Sequence, residues 1–206
     1  QETPKLCRST IAQSERLGGA AVTIDYAPFA AAAELLYQRP WIAERFAAVG
    51  AFVEKCPDAL HTVTRAIIEG GRRFSAAATF EAIYKLEARR RKMAQVWREI
   101  DFLLLPTAGT IYAVDEIERD PIAPNANLGY YTNFVNLLDL SALAVPAGFQ
   151  SNALPFGVTV IAPAWHEGRL GSWGRAFHRA QRLSLSATNA KLPKEASAKE
   201  AKIAPY

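Results

Sequence analysis

The sequence has few of the residues that build disulfide frameworks or metal sites. Its two cysteines, Cys7 and Cys56, form no motif. They cannot make a disulfide framework, which favours reduced thiols and a cytoplasmic protein. Its three histidines show no metal-ligand spacing, and neither H-E-x-x-H nor C-x-x-C occurs, so no metal is predicted. No apolar run approaches the ~20 residues that span a bilayer, so no membrane partner is expected.

Several motifs of cofactor-dependent enzymes and nucleic-acid binders are also missing. There is no G-x-S-x-G elbow, no Walker loop and no dinucleotide fingerprint. The net charge is +4, and part of the basic excess is the run Arg-Arg-Arg-Lys at 89–92. Four consecutive residues of a helix point around most of its circumference rather than along one stripe. Without a basic face or a recognisable DNA-binding motif, no nucleic-acid partner is predicted.

What the sequence does contain is an ordinary globular composition. The 206 residues are 50% hydrophobic and 21% charged, which is enough for a buried core. Prolines, a serine and paired glycines mark the ends of several helical segments, so the first half, about 26–100, is predicted to be helical. The predicted elements are a helix to Gly19, a strand over 20–25, and helices that begin near 28, 40, 57 and 75, the last reaching 100.

The second half, about 101–189, has the short apolar runs of a sheet. Residues 101–106 are predicted to be a fully buried strand. The connection 107–130 is rich in Pro, Gly, Asn and Asp, and loops of this length are often functional. Residues 190–206 have almost nothing to bury and predict a linker or flexible tail. The remaining predicted elements are a helix over 131–140, strands over 142–146 and 157–161, and a last helix over 172–185.

Together these elements predict an α/β fold with a mixed β-sheet flanked by helices. The strands over 142–146 and 157–161 are expected to lie centrally in that sheet. Pro146 and Gly148 are expected to end the first of them, because a chain reversal must follow.

Two stretches carry a more specific signal, GYYTNFVNLLDLSALAVPAGF at 129–149 and LPFGVTVIAPAW at 154–165. They resemble the C-terminal half of amidase-signature hydrolases and, within these, the allophanate hydrolases. The helical half agrees, with LYQRPWIAERFAAV at 36–49 and HTVTRAIIEGGRRFSAA at 61–77. The resemblance covers about 17–190. It implies the C-terminal portion of an amidase-signature fold, forming a partial domain over 1–189.

The resemblance also implies a reaction, the hydrolysis of allophanate (N-carboxyurea) or a related ureide to ammonia and carbon dioxide without a cofactor. Amidase-signature enzymes use a nucleophilic serine, a second serine that bridges to it and a lysine, all in an upstream Gly/Ser-rich segment. The serines of these 206 residues are scattered, and none has a Gly-Ser-Ser context. We therefore expect no catalytic residue in this chain, and no activity of the chain alone.

Such a partial domain is expected to have protein partners. The candidates are the missing amidase half, a second copy bound through the helical first half, and urea carboxylase. The alternative is a non-catalytic binding or partner subunit derived from an amidase. A Gly-Ser-Ser segment encoded directly upstream of Gln1 would favour the enzyme over that subunit.

The candidate substrate-binding residues carry hydroxyl and amide groups near the long connection. A small carboxylated urea needs several hydrogen-bond partners, and the candidates to supply them are Tyr112, Asn127, Tyr131, Thr132 and Asn133. The alternative is that Asn133 and Asn136 cap or brace the backbone while the tyrosines only pack.

One position departs from the resemblance. Where allophanate hydrolases are expected to read Asn-x-Arg-Leu-Gly, residues 125–129 read Asn-Ala-Asn-Leu-Gly. Asn127 cannot supply the two-pronged charged contact that an arginine makes with a carboxylate. Either Arg119 or another basic residue compensates, or the substrate is a neutral amide or a different ureide.

Overall fold

The computed structural model describes residues 2–38 and 40–183. The predicted tail at 190–206 and the predicted domain end at 189 lie outside these residues. The α/β class and the helix-rich first half are confirmed. In chain order the elements are α1 (Thr3–Arg16), α2 (Ala27–Gln38), α3 (Trp41–Lys55), α4 (Thr62–Glu69), α5 (Ala76–Val96), β1 (Leu103–Pro106), α6 (Val114–Arg119), α7 (Ala123–Leu128), α8 (Phe134–Leu137), β2 (Leu140–Phe149), β3 (Pro155–Pro163) and α9 (Glu167–Gln181), with 3₁₀ turns at Pro57–Ala59 and Gly70–Arg73.

Local sequence signals set the starts of the long helices. Pro28 lies in the first turn of α2 and Pro40 directly precedes α3, positions at which proline loses no helical hydrogen bond. Ser75 precedes α5, and its Oγ accepts a hydrogen bond from the N–H of Ala78 at 3.1 Å. That bond satisfies one of the N–H groups that a helix start leaves without a partner.

The main core joins the helical half to the short helix α8. Phe29 of α2 and Phe134 of α8 are both completely buried, and their ring centroids lie 5.0 Å apart. Leu86 and Met93 of α5 and Leu103 of β1 belong to the same buried cluster. Burying one such side chain stabilises the fold by about 1.5–3 kcal/mol, so this cluster anchors α8 and the residues just before it.

The three described strands form one antiparallel sheet in the order β1-β3-β2. β3 is central, and Val158, Val160 and Ile161 are completely buried in it. The predictions that 101–106 is fully buried and that 142–146 is central are wrong, because β1 and β2 lie on either side of β3. Strand order depends on pairing between distant residues, which local composition does not reveal.

The strand β2 also runs further than predicted. It passes through Pro146 and ends at Phe149, with a shift of register between Pro146 and Gly148. Gly148 has a φ of +135°, which glycine adopts at little cost. The expectation that Pro146 and Gly148 end the strand is therefore wrong, since a bulge accommodates both residues inside it.

Two segments differ from their predicted structure. Residues 20–25 are irregular rather than a strand, because no neighbouring strand pairs with them in the described chain. The connection 107–130 contains the short helices α6 and α7. The predicted helix over 131–140 shortens to α8, and α9 begins at Glu167, five residues before the predicted 172.

The basic run 89–92 lies inside α5, as predicted. The Arg90 guanidinium donates to the carbonyl of Leu137 at 2.8 and 3.1 Å and to Glu87 at 2.9 Å. Arg90, one of the four cations of the run, is therefore bonded within the fold. Across the described residues, no helix has the length and apolar character needed to cross a bilayer.

Candidate functional site

The chain that follows β1 encloses a surface pocket of about 430 Å³. This volume is within the range of small-molecule sites, about 300–1,000 Å³. The lining comes from the connection after β1, from α7 and from the turn before α8. It consists of Gly109, Thr110, Tyr112, Asn127, Tyr130 and Tyr131.

One wall of the pocket is held by a direct contact between two predicted residues. The Asn127 side-chain amide donates to the Tyr112 hydroxyl at 2.5 Å. The two residues are 15 positions apart, so this bond ties the start of the connection to α7. It also leaves the hydrogen of the Tyr112 hydroxyl free to point at a bound group.

The ring of Tyr131 forms another part of the pocket wall. Its edge packs against Gly109, where an added Cβ would lie 3.4 Å from the ring. The ring of Tyr130 meets it edge-on with centroids 4.9 Å apart. Burial raises the pKa of Tyr131 above its usual value, and the nearby hydroxyl of Tyr130 and thiol of Cys7 raise it further. The Tyr131 hydroxyl is therefore protonated at neutral pH and can donate a hydrogen bond.

The pocket is fastened to the N-terminal part of the chain. The Tyr26 hydroxyl donates to the carbonyl of Tyr130 at 2.7 Å, and Thr3 Oγ1 donates to the carbonyl of Gly109 at 3.4 Å. Burial is the main cause that raises the pKa of Tyr26, and Tyr130 and Tyr131 add to it. Tyr26 therefore stays a neutral donor, and the bond persists over the physiological pH range.

Three of the five predicted residues line this pocket, and two do not. Tyr112, Asn127 and Tyr131 converge there, whereas Thr132 and Asn133 lie in the turn before α8 outside the lining. The backbone N–H groups of Thr132 and Asn133 donate to the carbonyl of Gly129 at 2.9 and 2.8 Å. The Asn133 side chain lies against Gly129, which fits the bracing role that was its alternative. Gly109, Thr110 and Tyr130 also line the pocket, although they are not among the residues predicted from the sequence.

The pocket lining carries no charge within the described residues. Arg119, the candidate to replace a missing arginine, bonds to Asp115 one turn earlier in α6 at 3.1 Å and does not line the pocket. The described chain also holds no group of three or more His, Cys, Asp or Glu residues placed to bind a metal ion. The site can thus recognise a ligand through neutral hydroxyl, amide and carbonyl groups.

Comparison with known proteins decides the family of this chain. A family model described as Amidase matches residues 2–170. The chain belongs to the amidase family. This amidase is 35% identical to the urea amidolyase of Saccharomyces cerevisiae and 38% identical to that of Lachancea kluyveri, over 162 residues in each case.

Solved structures agree with that assignment. The selenomethionine-substituted allophanate hydrolase of Kluyveromyces lactis matches this amidase with a TM-score of 0.87 and 32% identity, over 94% of this chain. The chain is thus an allophanate-hydrolase-like amidase. It spans 33% of that allophanate hydrolase chain. The alignment with each of the two urea amidolyases extends over 78% of this chain but over only 9% of the urea amidolyase.

Proposed function

We propose that this chain is the C-terminal part of an amidase domain that hydrolyses allophanate or a related ureide. The observation that carries the proposal is the pocket, where Tyr112, Asn127 and Tyr131 meet around a neutral, hydrogen-bonding cavity. The amidase family, and the similarity to urea amidolyases and to an allophanate hydrolase, support an amide or ureide as the ligand. The partial domain over 1–189 belongs to the same proposal.

The chemistry divides between this chain and the rest of the amidase. A serine supplied by the Ser-Ser-Lys segment attacks the terminal amide carbonyl, the C–N bond breaks, and the nitrogen leaves as ammonia after it takes up a proton. Water then hydrolyses the acyl-enzyme. The pocket residues hold the ureide during both steps: the Tyr131 hydroxyl donates to a carbonyl oxygen, and Tyr112 is oriented by Asn127. Such positioning lowers the entropic part of the barrier.

A Tyr131→Phe change tests the pocket directly. It keeps the ring that packs on Gly109 and Tyr130 but removes the hydroxyl. We expect the affinity for biuret, a neutral ureide, to fall about two- to tenfold, the effect of one lost neutral hydrogen bond. Calorimetric titration of the purified chain with biuret measures it, and thermal unfolding shows whether the fold is retained.

Tyr84→Phe is the matched control, because Tyr84 is exposed on α5 and is not one of the residues that line the pocket. It should leave the biuret affinity unchanged. Equal affinity of Tyr131→Phe and the wild-type chain would contradict the proposal and leave Tyr131 a packing residue. No heat of binding from the wild-type chain would contradict the pocket as a whole.

The alternative, a non-catalytic partner subunit, makes a different prediction for ammonia release. A complete amidase domain that contains this chain should release ammonia from allophanate, and the Tyr131→Phe change should slow it. A partner subunit would leave the rate of its complete amidase unaffected by that change.

The exposed apolar residues of α5 support a second copy of the chain as a partner. Phe80, Ile83 and Tyr84 are exposed and lie on one face of α5 at i, i+3 and i+4 spacing. Exposed apolar faces of this kind mark interaction sites. Ile83→Lys should convert a dimer to a monomer in sedimentation velocity, while Glu81→Lys, on a different face of α5, should not. A monomeric wild-type chain would contradict this proposal.

Urea carboxylase is the further partner proposed, since an enzyme that carboxylates urea produces allophanate. Placement of both enzymes in the cytoplasm stays a prediction.

A further inference from the structure

The ring of Tyr130 lies on the solvent side of the pocket. Tyr130 lines the pocket and is 46% exposed, whereas the lining residues Tyr112 and Tyr131 are half-buried. The pocket therefore has an inner part, where Tyr112 and Tyr131 lie, and an outer part beside Tyr130.

The faces of the Tyr130 ring have no parallel partner among the described residues. The two rings that lie close to it are those of Tyr26 and Tyr131, with centroids 5.5 and 4.9 Å away. Their planes make angles of 50° and 87° with the plane of Tyr130. Neither ring is stacked on Tyr130, so an aromatic group of a ligand can stack there.

The backbone that carries this ring is held from two sides. The carbonyl of Tyr130 accepts a hydrogen bond from the Tyr26 hydroxyl at 2.7 Å, and its N–H donates to the carbonyl of Asn127 at 3.1 Å. A tyrosine side chain also has only two rotatable bonds, so it gives a large contact area at a low cost in conformational entropy. The ring of Tyr130 is thus ordered before a ligand binds, which favours affinity.

A small ureide such as biuret leaves this outer part unused. The pocket volume of about 430 Å³ is in the range of sites that hold drug-sized ligands, about 300–1,000 Å³, and biuret is much smaller than such a ligand. The amide groups of biuret match the hydroxyl and amide groups of Tyr112, Asn127 and Tyr131. Biuret has no group that would cover the ring of Tyr130.

We propose that Tyr130 is a specificity-determining residue, which selects ureides that carry a planar aromatic substituent on their outward-pointing nitrogen. The ureide group binds in the inner part of the pocket, and the substituent stacks on the ring of Tyr130. The lining residues carry no charge, so the pocket favours a neutral substituent. This inference rests on the proposed function, because it requires the ureide to occupy the pocket.

The planarity of the substituent is the decisive property. Two aromatic rings in an offset stack gain free energy beyond that of the apolar area they bury. A saturated ring of similar size buries a similar area, but its puckered shape and lack of a π-system prevent that stack. Stacking on Tyr130 should therefore separate a phenyl from a cyclohexyl substituent.

Calorimetric titration of the purified wild-type chain with biuret, N-phenylbiuret and N-cyclohexylbiuret tests the inference. We expect N-phenylbiuret to bind about two- to tenfold more tightly than N-cyclohexylbiuret, the effect of one aromatic pair, and to bind more tightly than biuret. Equal affinity for N-phenylbiuret and N-cyclohexylbiuret would overturn the proposal, since apolar area alone would then decide the affinity.

Substitutions at Tyr130 assign the preference to its ring. Tyr130→Ala removes the ring and should abolish the preference for N-phenylbiuret over N-cyclohexylbiuret. Tyr130→Phe keeps the ring and should keep the preference. Tyr84→Ala, at an exposed tyrosine of α5 that does not line the pocket, should keep it too. A Tyr130→Ala chain that retained the full preference would show that the phenyl group binds elsewhere.

Failure of this inference differs from failure of the proposed function. A wild-type chain that binds none of the three ligands would contradict the ureide pocket and the role of Tyr130 with it. A chain that binds all three with equal affinity would agree with the ureide pocket and overturn only the role of Tyr130.

Discussion

Phe134→Ala should lower the free energy of unfolding by about 3–5 kcal/mol, the cost of a large cavity left by a buried aromatic side chain. Phe134 is completely buried and packs on the rings of Phe29 and Tyr26, with centroids 5.0 and 6.1 Å away. Because α8 follows the pocket turn directly, the same change should loosen Tyr131 and weaken the binding of biuret. Urea unfolding followed by circular dichroism measures the first effect, and calorimetry measures the second.

Phe149→Ala is the control for this change. Phe149 ends β2 and is exposed, so its removal should change the free energy of unfolding by less than about 0.5 kcal/mol. If the two variants unfolded at the same urea concentration, the core between α2 and α8 would not anchor the pocket.

Asn127→Arg should change which ligands the pocket prefers. The lining carries no charge, and Arg119 is held by Asp115 in α6. The wild-type chain should therefore bind biuret, which ends in an amide, better than allophanate, which ends in a carboxylate. An arginine at 127 adds charge-assisted hydrogen bonds worth about 1.5–3 kcal/mol. The ratio of the two affinities should shift towards allophanate by about ten- to hundredfold.

Asn127→Gln is the matched control, since it keeps an amide and adds no charge. It should leave the ratio of the two affinities close to that of the wild-type chain. A wild-type chain that already prefers allophanate would contradict the neutral character of the site. It would show that a cation outside the pocket lining reaches the ligand.

Much of the helical half could be predicted from local signals. Pro28, Pro40 and Ser75 fix the starts of α2, α3 and α5 through rules that act within one turn. The short helices α6 and α7 are not among the predicted elements, although two features of the sequence indicate them: the i,i+4 pair of Asp115 and Arg119, and Pro124 in a first turn. The order of the strands could not be predicted, because Leu104, Val160 and Leu143 meet only through pairing of distant segments.

The sequence predicts the chemistry of the pocket lining better than the direction of its side chains. Hydroxyl and amide groups near the long connection are the signal for all five candidates, and Tyr112, Asn127 and Tyr131 line the pocket. Thr132 and Asn133 offer the same groups but lie outside the lining, because successive residues of a turn point different ways; the role of all five in binding stays a prediction. Tyr130 faces the pocket beside Tyr131, and the aromatic pair in the sequence was the signal for it.

The bond from Tyr26 to Tyr130 joins residues that are 104 positions apart. During translation, at roughly 5–20 residues per second, Tyr26 leaves the ribosome about 5–20 s before its acceptor does. In that interval α2, α3 and α5 have all their residues and can fold, but the tyrosine hydroxyl has only water to bind. The pocket of the nascent chain is therefore complete only after Tyr130 and Tyr131 have left the ribosome. A nascent chain that binds the ligand must have been synthesised at least to the turn before α8.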